Sequence, residues 1–391
     1  MSDDYELLVV GGGPAGLSAA RAYRDAAGRG AVAIVADEER MPYDRPPLTK
    51  ELLRGEMDQD ELALEDEAWL SEQGVSLIAG RAVALAPDRH EVVLSGGRCL
   101  NYRACVLATG AEPRRLPIPG ADDPAVRVVR SLSQVRELLA RLTPGDGVVV
   151  IGSGFIGCEI AASLSVRGHA VTLVSDEPSP NQARLGADAG ATIAGWLREL
   201  GVTLMLGSAV ERIERRGGEL HLSAGSHHPR ASVVVMATGV TPRSELVLGA
   251  GIALRDGAIT VDSSMRTVVD GVLAAGDVTY AENAAAGRHL HVEHWGDALG
   301  QGSVAGRTAA GVSAAWSDIP GFWSAIGANT LKYAAWGDGY EIASLQRASG
   351  GDGFAVWYSR EGRLVGVLAH NADDSYERGR ELIAQGAPWP T

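Results

Sequence analysis

Two glycine-rich loops in this chain have the spacing that cradles phosphate: Gly11-Gly12-Gly13-Pro14-Ala15-Gly16 and Gly152-Ser153-Gly154-Phe155-Ile156-Gly157. In such a loop the first glycine makes the tight turn, the second lets backbone approach a pyrophosphate, and the third allows close helix–strand packing. Gly11, Gly13 and Gly16 take these places in the first loop, and Gly152, Gly154 and Gly157 in the second. A helix starting near Pro14 would offer free N–H groups and a positive dipole end to the phosphates. One such motif is weak evidence. Two, each in a strand–turn–helix frame, point to two dinucleotides on one chain, and two dinucleotides suggest electrons passing between them.

The elements around each loop repeat as well. Leu7 to Val10 and Val148 to Ile151 read as the leading strands, and Leu17 to Ala27 and Glu159 to Arg167 as the helices that follow. The second strands are Ala31 to Ala36 and Val171 to Val174. The first of these ends in Asp37-Glu38, carboxylates that suit an adenosine ribose. The second ends in Ser175-Asp176-Glu177, with no cation immediately beside it and Arg184 a little further on. A 2′-phosphate wants a cation there and a free 2′-OH wants a carboxylate. Asp176 therefore favours NADH, and Ser175 leaves NADPH possible. Ala108-Thr109-Gly110 closes the first segment and Ala237-Thr238-Gly239 the second. Their small residues and glycines would let backbone approach a cofactor closely.

Gly257 to Asp262 and Gly271 to Asp277 read as two more strands. The second puts Asp277 at a strand's C-terminal end, where ligands bind in open α/β sheets. The first domain is therefore expected to be interrupted by the second and to resume near Pro242. Beyond Ala314 short strands are expected at Asn329 to Ala335, Tyr340 to Ser344, Gly353 to Ser359 and Arg363 to His370, and a helix at Glu377 to Gln385. The predicted fold is α/β: two Rossmann-like dinucleotide-binding domains, the second inserted in the first, plus a small α+β C-terminal domain. The expected boundaries are 1–113 with 242–313, 114–241, and 314–391.

Composition narrows the function classes. A length of 391 residues suits two or three domains, and a net charge of −14 argues against nucleic-acid binding. The acidic stretch Glu56 to Glu72 reads as a solvated helix face. Three cysteines, Cys99, Cys105 and Cys158, form no Cys-x-x-Cys pair and no metal-ligand spacing. Neither a metal site nor a disulfide framework is expected, so a reducing cytoplasm is the default. Met1 to Glu6 shows no basic segment of a secretory signal, and no apolar run is long enough to span a membrane. The proline-stiffened loop Met41 to Lys50 either fixes Arg45 and Lys50 towards a ligand or is a surface loop with two ordinary cations. Spacing alone leaves both open.

Three stretches, Pro42 to Lys50, Ile151 to Ala161 and Ala274 to Val278, resemble the FAD-dependent NAD(P)H reductases of oxygenase systems. That family includes putidaredoxin, rubredoxin and aromatic-ring dioxygenase ferredoxin reductases, with apoptosis-inducing factor more distant. The resemblance covers nearly the whole chain, including His291 to Gly302 and Pro320-Gly321-Phe322-Trp323. The run Tyr43-Asp44-Arg45-Pro46-Pro47-Leu48-Thr49-Lys50 is its most specific part, although Ser is commoner than Thr at position 49. The resemblance implies FAD in the first unit and a nicotinamide dinucleotide in the second. Ala15, Asp37, Lys50, Val83, Arg130, Asp277 and Trp295 match positions that contact FAD. It places Asp277 on the ribitol or pyrophosphate, Trp295 at the isoalloxazine edge, and Lys50 by the flavin, paired with Glu159. A buried Lys–Glu pair is costly unless both partners stay, which points to function.

The departures are informative. No cysteine lies before Cys99, and Cys158 reads as a small apolar packing residue, so disulfide reduction is disfavoured. His294 stands beside Trp295 where relatives are expected to carry other residues, and it reads as a local polar contact. The activity implied is hydride transfer from NADH to FAD N5, then single electrons to a ferredoxin-type iron–sulfur protein serving an oxygenase. The rivals are an NADH oxidase or quinone-type reductase, and a redox-sensing interaction protein. Arg347, Arg360, Arg363, Arg378 and Arg380 are interleaved with Asp373, Asp374 and Glu377, so no clear docking patch is visible. The state is expected to be monomer or homodimer.

Overall fold

A computed structural model describes residues 3–38, 40–348 and 351–388 of the chain. The outer ends of the expected first and last domains, 1–2 and 389–391, lie outside the described residues. The chain divides into two compact units. The first holds residues 1–44, 63–112 and 241–322, and the second 45–62, 113–240 and 323–391. The segment 45–62, counted above with the first domain, thus groups with the second unit, as does most of the C-terminal domain.

In the first unit Asp4–Val10 lies between two parallel neighbours, Val32–Ala36 and Cys99–Leu107. Strands covered on both faces need continuous apolar side chains, and Leu7, Leu8, Val9 and Val10 are all buried. Val75–Ala79 extends the sheet on one side. On the other side Val272–Ala274 pairs parallel with Cys99–Leu107, and Glu91–Leu94 and Ala82–Ala86 add an antiparallel edge. The first nucleotide helix, Pro14–Asp25, starts earlier than its apolar pattern suggests, because proline's fixed φ suits a first turn. The helix Trp295–Ala309 packs along it. Residues 56–72 do not form one solvated helix. A 3-10 turn, Gln59–Leu62, buries Leu62, and Asp66 then caps a separate helix, Glu67–Gln73, by accepting from Trp69 N at 2.8 Å.

In the second unit five parallel strands run in the order Thr203–Met205, Ala170–Val174, Gly147–Ile151, Val233–Met236 and Val126–Arg127. The small antiparallel sheet Arg212–Arg216, Glu219–Ser223 and Arg230–Ala231 shares a core with them through Ile213, Leu220, Leu222, Val149, Val234 and Met236. The second nucleotide helix is Phe155–Val166. The C-terminal sheet has five strands, in the order Gly321–Ile326, Asn329–Ala335, Arg363–His370, Phe354–Arg360 and Ile342–Arg347. The first of these was not foreseen, and the expected strand at Tyr340 to Ser344 is shifted to Ile342–Arg347. The last helix, Asp373–Ala384, begins four residues before Glu377, with Asp373 and Asp374 in its first turn, where the dipole favours carboxylates.

Candidate functional site

The first loop is shaped by what it must leave empty. Gly11 has φ +126°, and a Cβ there would lie 2.1 Å from Ala108 O. A Cβ on Gly16 would lie 2.0 Å from Gly11 O, whereas one on Gly13 would meet nothing within 4 Å. Gly13 caps the helix without any side-chain hydrogen bond, so no capping side chain competes for its first N–H groups. Such a cradle fits the pyrophosphate of FAD. Ala15 is buried in the helix's first turn. Beyond the strand, Arg243 Nη2 donates to Asp37 Oδ2 at 2.9 Å and Tyr43 OH to Glu38 Oε2 at 2.6 Å. Both candidate ribose carboxylates are thereby oriented. Asp277 is buried at the end of Val272–Ala274, its carbonyl accepting from His291 Nε2 at 3.3 Å. Trp295 is half-buried at the head of its helix. His294 Nδ1 lies 3.2 Å from Asp297 Oδ2, and its ring packs on Phe322 at 4.6 Å, a local polar contact. Val83 lies on Ala82–Ala86, 53% exposed.

The second loop repeats the first at its three spaced glycines. A Cβ on Gly152 (φ +103°) would lie 2.3 Å from Ala237 O, one on Gly157 2.0 Å from Gly152 O, and one on Gly154 would meet nothing within 4 Å. Gly154 also caps its helix without a side-chain bond, and Phe155 and Ile156 open that helix, Ile156 largely exposed. Gly11 N donates to Val35 O at 2.9 Å, and Gly152 N to Val174 O at 2.8 Å. By that register Ser175 is equivalent to Ala36 and Asp176 to Asp37. Ser175 is buried and accepts from Ser153 Oγ at 2.7 Å, whereas Asp176 is exposed.

The repeat also runs past the two Ala-Thr-Gly segments. Thr109 Oγ1 donates to Arg243 O at 2.6 Å, and Arg243 N returns a bond to Gly110 O at 2.9 Å. Thr238 Oγ1 donates to Arg114 O at 2.6 Å, and Arg114 N to Gly239 O at 2.9 Å. The sequence carries the signal, Ala-Thr-Gly-x-x-Pro-Arg at 108–114 and again at 237–243, although only its first three residues were read above.

Beside the second loop lies a buried ionic cluster. Lys50, 3% exposed, places Nζ 2.9 Å from Glu159 Oε2, itself on a residue 2% exposed. Lys50 Nζ also donates to Pro46 O at 3.0 Å and lies 4.7 Å from the centre of the Trp323 ring. Glu159 accepts further from Thr49 Oγ1 at 2.6 Å and from Ser324 Oγ at 2.7 Å. Ser163 Oγ pins the turn by donating to Thr49 O at 2.7 Å. Thr49 and Ser324 were missed as members of this cluster. Lys50 had a further signal: of 35 basic residues only Lys50 and Lys332 are lysines. Arg45 Nη1 donates to Arg130 O at 2.8 Å, so these two candidates also meet each other in the second unit. Cys105 and Cys158 are fully buried, and burial pushes both thiols far up. The arrangement offers two phosphate cradles, a fixed cation and no reactive thiol at either cradle.

Known proteins share this organisation. The pyridine nucleotide-disulphide oxidoreductase family matches residues 5–302, and the reductase C-terminal family residues 321–391. The 5,5′-dehydrodivanillate O-demethylase ferredoxin reductase subunit of Sphingobium sp. is 32% identical over 392 residues, 98% of this chain and 94% of that protein. Human apoptosis-inducing factor 3 is 29% identical over 390 residues, and the chain spans only 64% of its length. The crystal structure of a ferredoxin reductase from Rhodopseudomonas palustris superposes with a TM-score of 0.92 at 28% identity, covering 99% of this chain and 96% of that one. With both families matched in order and the glycine cradles in place, the chain belongs to the pyridine nucleotide-disulphide oxidoreductase family and ends in its reductase C-terminal domain.

Proposed function

We propose that this protein is an FAD-dependent reductase that takes a hydride from NADH and passes single electrons to a ferredoxin-type iron–sulfur protein serving an oxygenase. The observation that carries this reading is the doubled cradle with a buried lysine–glutamate pair at the second copy and no reactive thiol at either. FAD, when bound, accepts a hydride and can release its electrons one at a time, which suits a two-electron donor and a one-electron acceptor. The loop Gly11 to Gly16 holds its pyrophosphate, Asp37 and Glu38 the adenosine ribose, and Asp277 the chain beyond. The loop Gly152 to Gly157 holds NADH. Lys50 would supply a fixed positive charge that stabilises the negative charge of the reduced flavin.

The iron–sulfur acceptor is inferred from the company the chain keeps. The Sphingobium relative is a ferredoxin reductase subunit of an O-demethylase, and the C-terminal domain is of the reductase type. NADH is favoured over NADPH because Asp176 is exposed and carries no cation partner among the described hydrogen bonds and ion pairs. A cytoplasmic setting is part of the proposal and fits three free cysteines. Among the described residues no helix is long and apolar enough to cross a membrane.

Anaerobic stopped-flow mixing of the FAD-loaded protein with NADH or NADPH tests the reading, followed by cytochrome c reduction with and without ferredoxin. Fast bleaching by NADH with ferredoxin-dependent cytochrome reduction is expected. Fast bleaching without ferredoxin dependence would move the assignment to an oxidase or small-molecule reductase. A slow reaction and a long-lived reduced complex would favour a sensing role.

A further inference from the structure

The carboxylate of Glu159 is held from three directions. The helix Phe155–Val166 carries it, and the 3-10 turn Pro46–Thr49 with its C-cap Lys50 brings Thr49 Oγ1 and Lys50 Nζ to Oε2. Among the described residues only Ser324, from the strand Gly321–Ile326, donates to Oε1, at 2.7 Å. Ser324 is 0% exposed. The last torsion of a glutamate is broad and roughly two-fold, so a carboxylate gripped at one oxygen can still turn. A second grip on the other oxygen removes that freedom, and a buried charged acceptor left without it is costly. Lys50 has three donors, and their directions end on Glu159, on Pro46 O and on the face of Trp323. Glu159 is the only anion among these, so the place of the ammonium depends on the place of the carboxylate.

We infer that Ser324 is a positioning residue for Lys50: from the C-terminal strand it fixes the Glu159 carboxylate and, through it, the ammonium beside the second nucleotide loop. The sequence neighbour Trp323 covers the same ammonium, so one dipeptide of the C-terminal domain holds both the lysine and its counter-ion. The consequence for hydride transfer rests on the function proposed above, but the placement of the amine does not.

The chain's lysine content provides the test. Lys50 and Lys332 are the only side-chain amines, and Lys332, half-buried and paired with the exposed Asp373 at 2.8 Å, is far more accessible than Lys50 and serves as an internal reference. The FAD-loaded protein is treated with limiting acetic anhydride, and acetylation at the two lysines is compared by mass spectrometry in wild type, Ser324→Ala and Ser324→Thr. Wild type should protect Lys50. Ser324→Ala should raise Lys50 acetylation relative to Lys332 by about tenfold, and Ser324→Thr should restore protection. In the same Ser324→Ala protein flavin reduction at saturating NADH should slow by about tenfold, with NAD⁺ affinity within about twofold. An unchanged Lys50/Lys332 ratio in Ser324→Ala, or equal loss of protection in Ser324→Thr, would overturn the inference. If Ser324→Ala does not fold, Ser324→Cys, which keeps a weak donor of similar size, takes its place with the same expected direction. Failure of wild type to be reduced by NADH would sink the proposed function and leave the acetylation comparison standing.

Discussion

A Cβ placed on Gly302 would sit 2.2 Å from the carbonyl oxygen of Ala15, so the helices Trp295–Ala309 and Pro14–Asp25 meet backbone against backbone. One turn on, Gly306 makes the same approach to Ala19 O at 2.1 Å. Gly302→Ala must push the helices apart, and overpacking of this kind costs about 1–3 kcal/mol or more. Urea unfolding should show that loss. FAD occupancy after purification should fall with it, because Ala15 lies in the first turn of the cradle helix. A variant of wild-type stability and full flavin content would mean that the helices can separate freely.

Alanine at two other glycines should divide the cofactors cleanly. Gly13 and Gly154 have extended backbone and open space at the Cβ position, so Gly13→Ala and Gly154→Ala should fold normally. The new methyl then stands where a pyrophosphate would lie. Gly13→Ala should lose FAD affinity by about tenfold or more, and Gly154→Ala should stay yellow with KM for NADH raised by a similar factor. Equilibrium dialysis and initial rates measure the two effects. Raised KM in Gly13→Ala with full flavin would reverse the assignment of the loops.

The Lys50–Glu159 pair should behave as a unit. Removing one partner leaves a buried charge unpaired, so Lys50→Met and Glu159→Gln should each destabilise by about 3–5 kcal/mol. The double variant should lose less than the sum of the two, which a denaturation cycle measures. Lys50→Ala should also slow flavin reduction by NADH. Strict additivity in the cycle, or stopped-flow bleaching at the wild-type rate, would remove the pair from the mechanism.

Thiol chemistry offers a further check. Cys105 and Cys158 are buried with thiols pushed up by burial, and Cys99 is exposed. In the native protein near neutral pH only Cys99 should react promptly with a disulfide reagent, and all three should react after denaturation. Prompt reaction of Cys158 would bring disulfide exchange at the second loop back into consideration.

The parallel strands were legible because burial on both faces writes them as unbroken apolar runs, Leu7 to Val10 and Val148 to Ile151. The helix Trp295–Ala309 was not. It carries Gly296, Gly300, Gly302 and Gly306, and glycine usually marks a turn. Two of these glycines are explained by the neighbouring helix, which only the folded chain brings there. Thr49 and Ser324 were illegible for the same reason: a hydroxyl gains meaning from what approaches it, and their acceptor lies 110 and 165 residues away. Lys50 was legible through its family setting, and the near-absence of other lysines marked it independently. Arg114 and Arg243 close the repeated heptads, and the repeat marks both positions, but the backbone bonds they make to Gly239 and Gly110 appear only in the folded chain.

Those two closures have a practical consequence. In the first unit Gly110 and Arg243 are hydrogen-bonded neighbours, and in the second Arg114 and Gly239 are. The stretch 113–240 therefore starts and ends beside a hydrogen-bonded strap, while 45–62 and 323–391 belong to the second unit as separate passages of the chain. Residues 114–242 can be treated as a cassette, exchangeable for another nucleotide-binding module by two cuts at the matching junctions Pro113-Arg114 and Pro242-Arg243, with coenzyme preference carried on the exchanged piece.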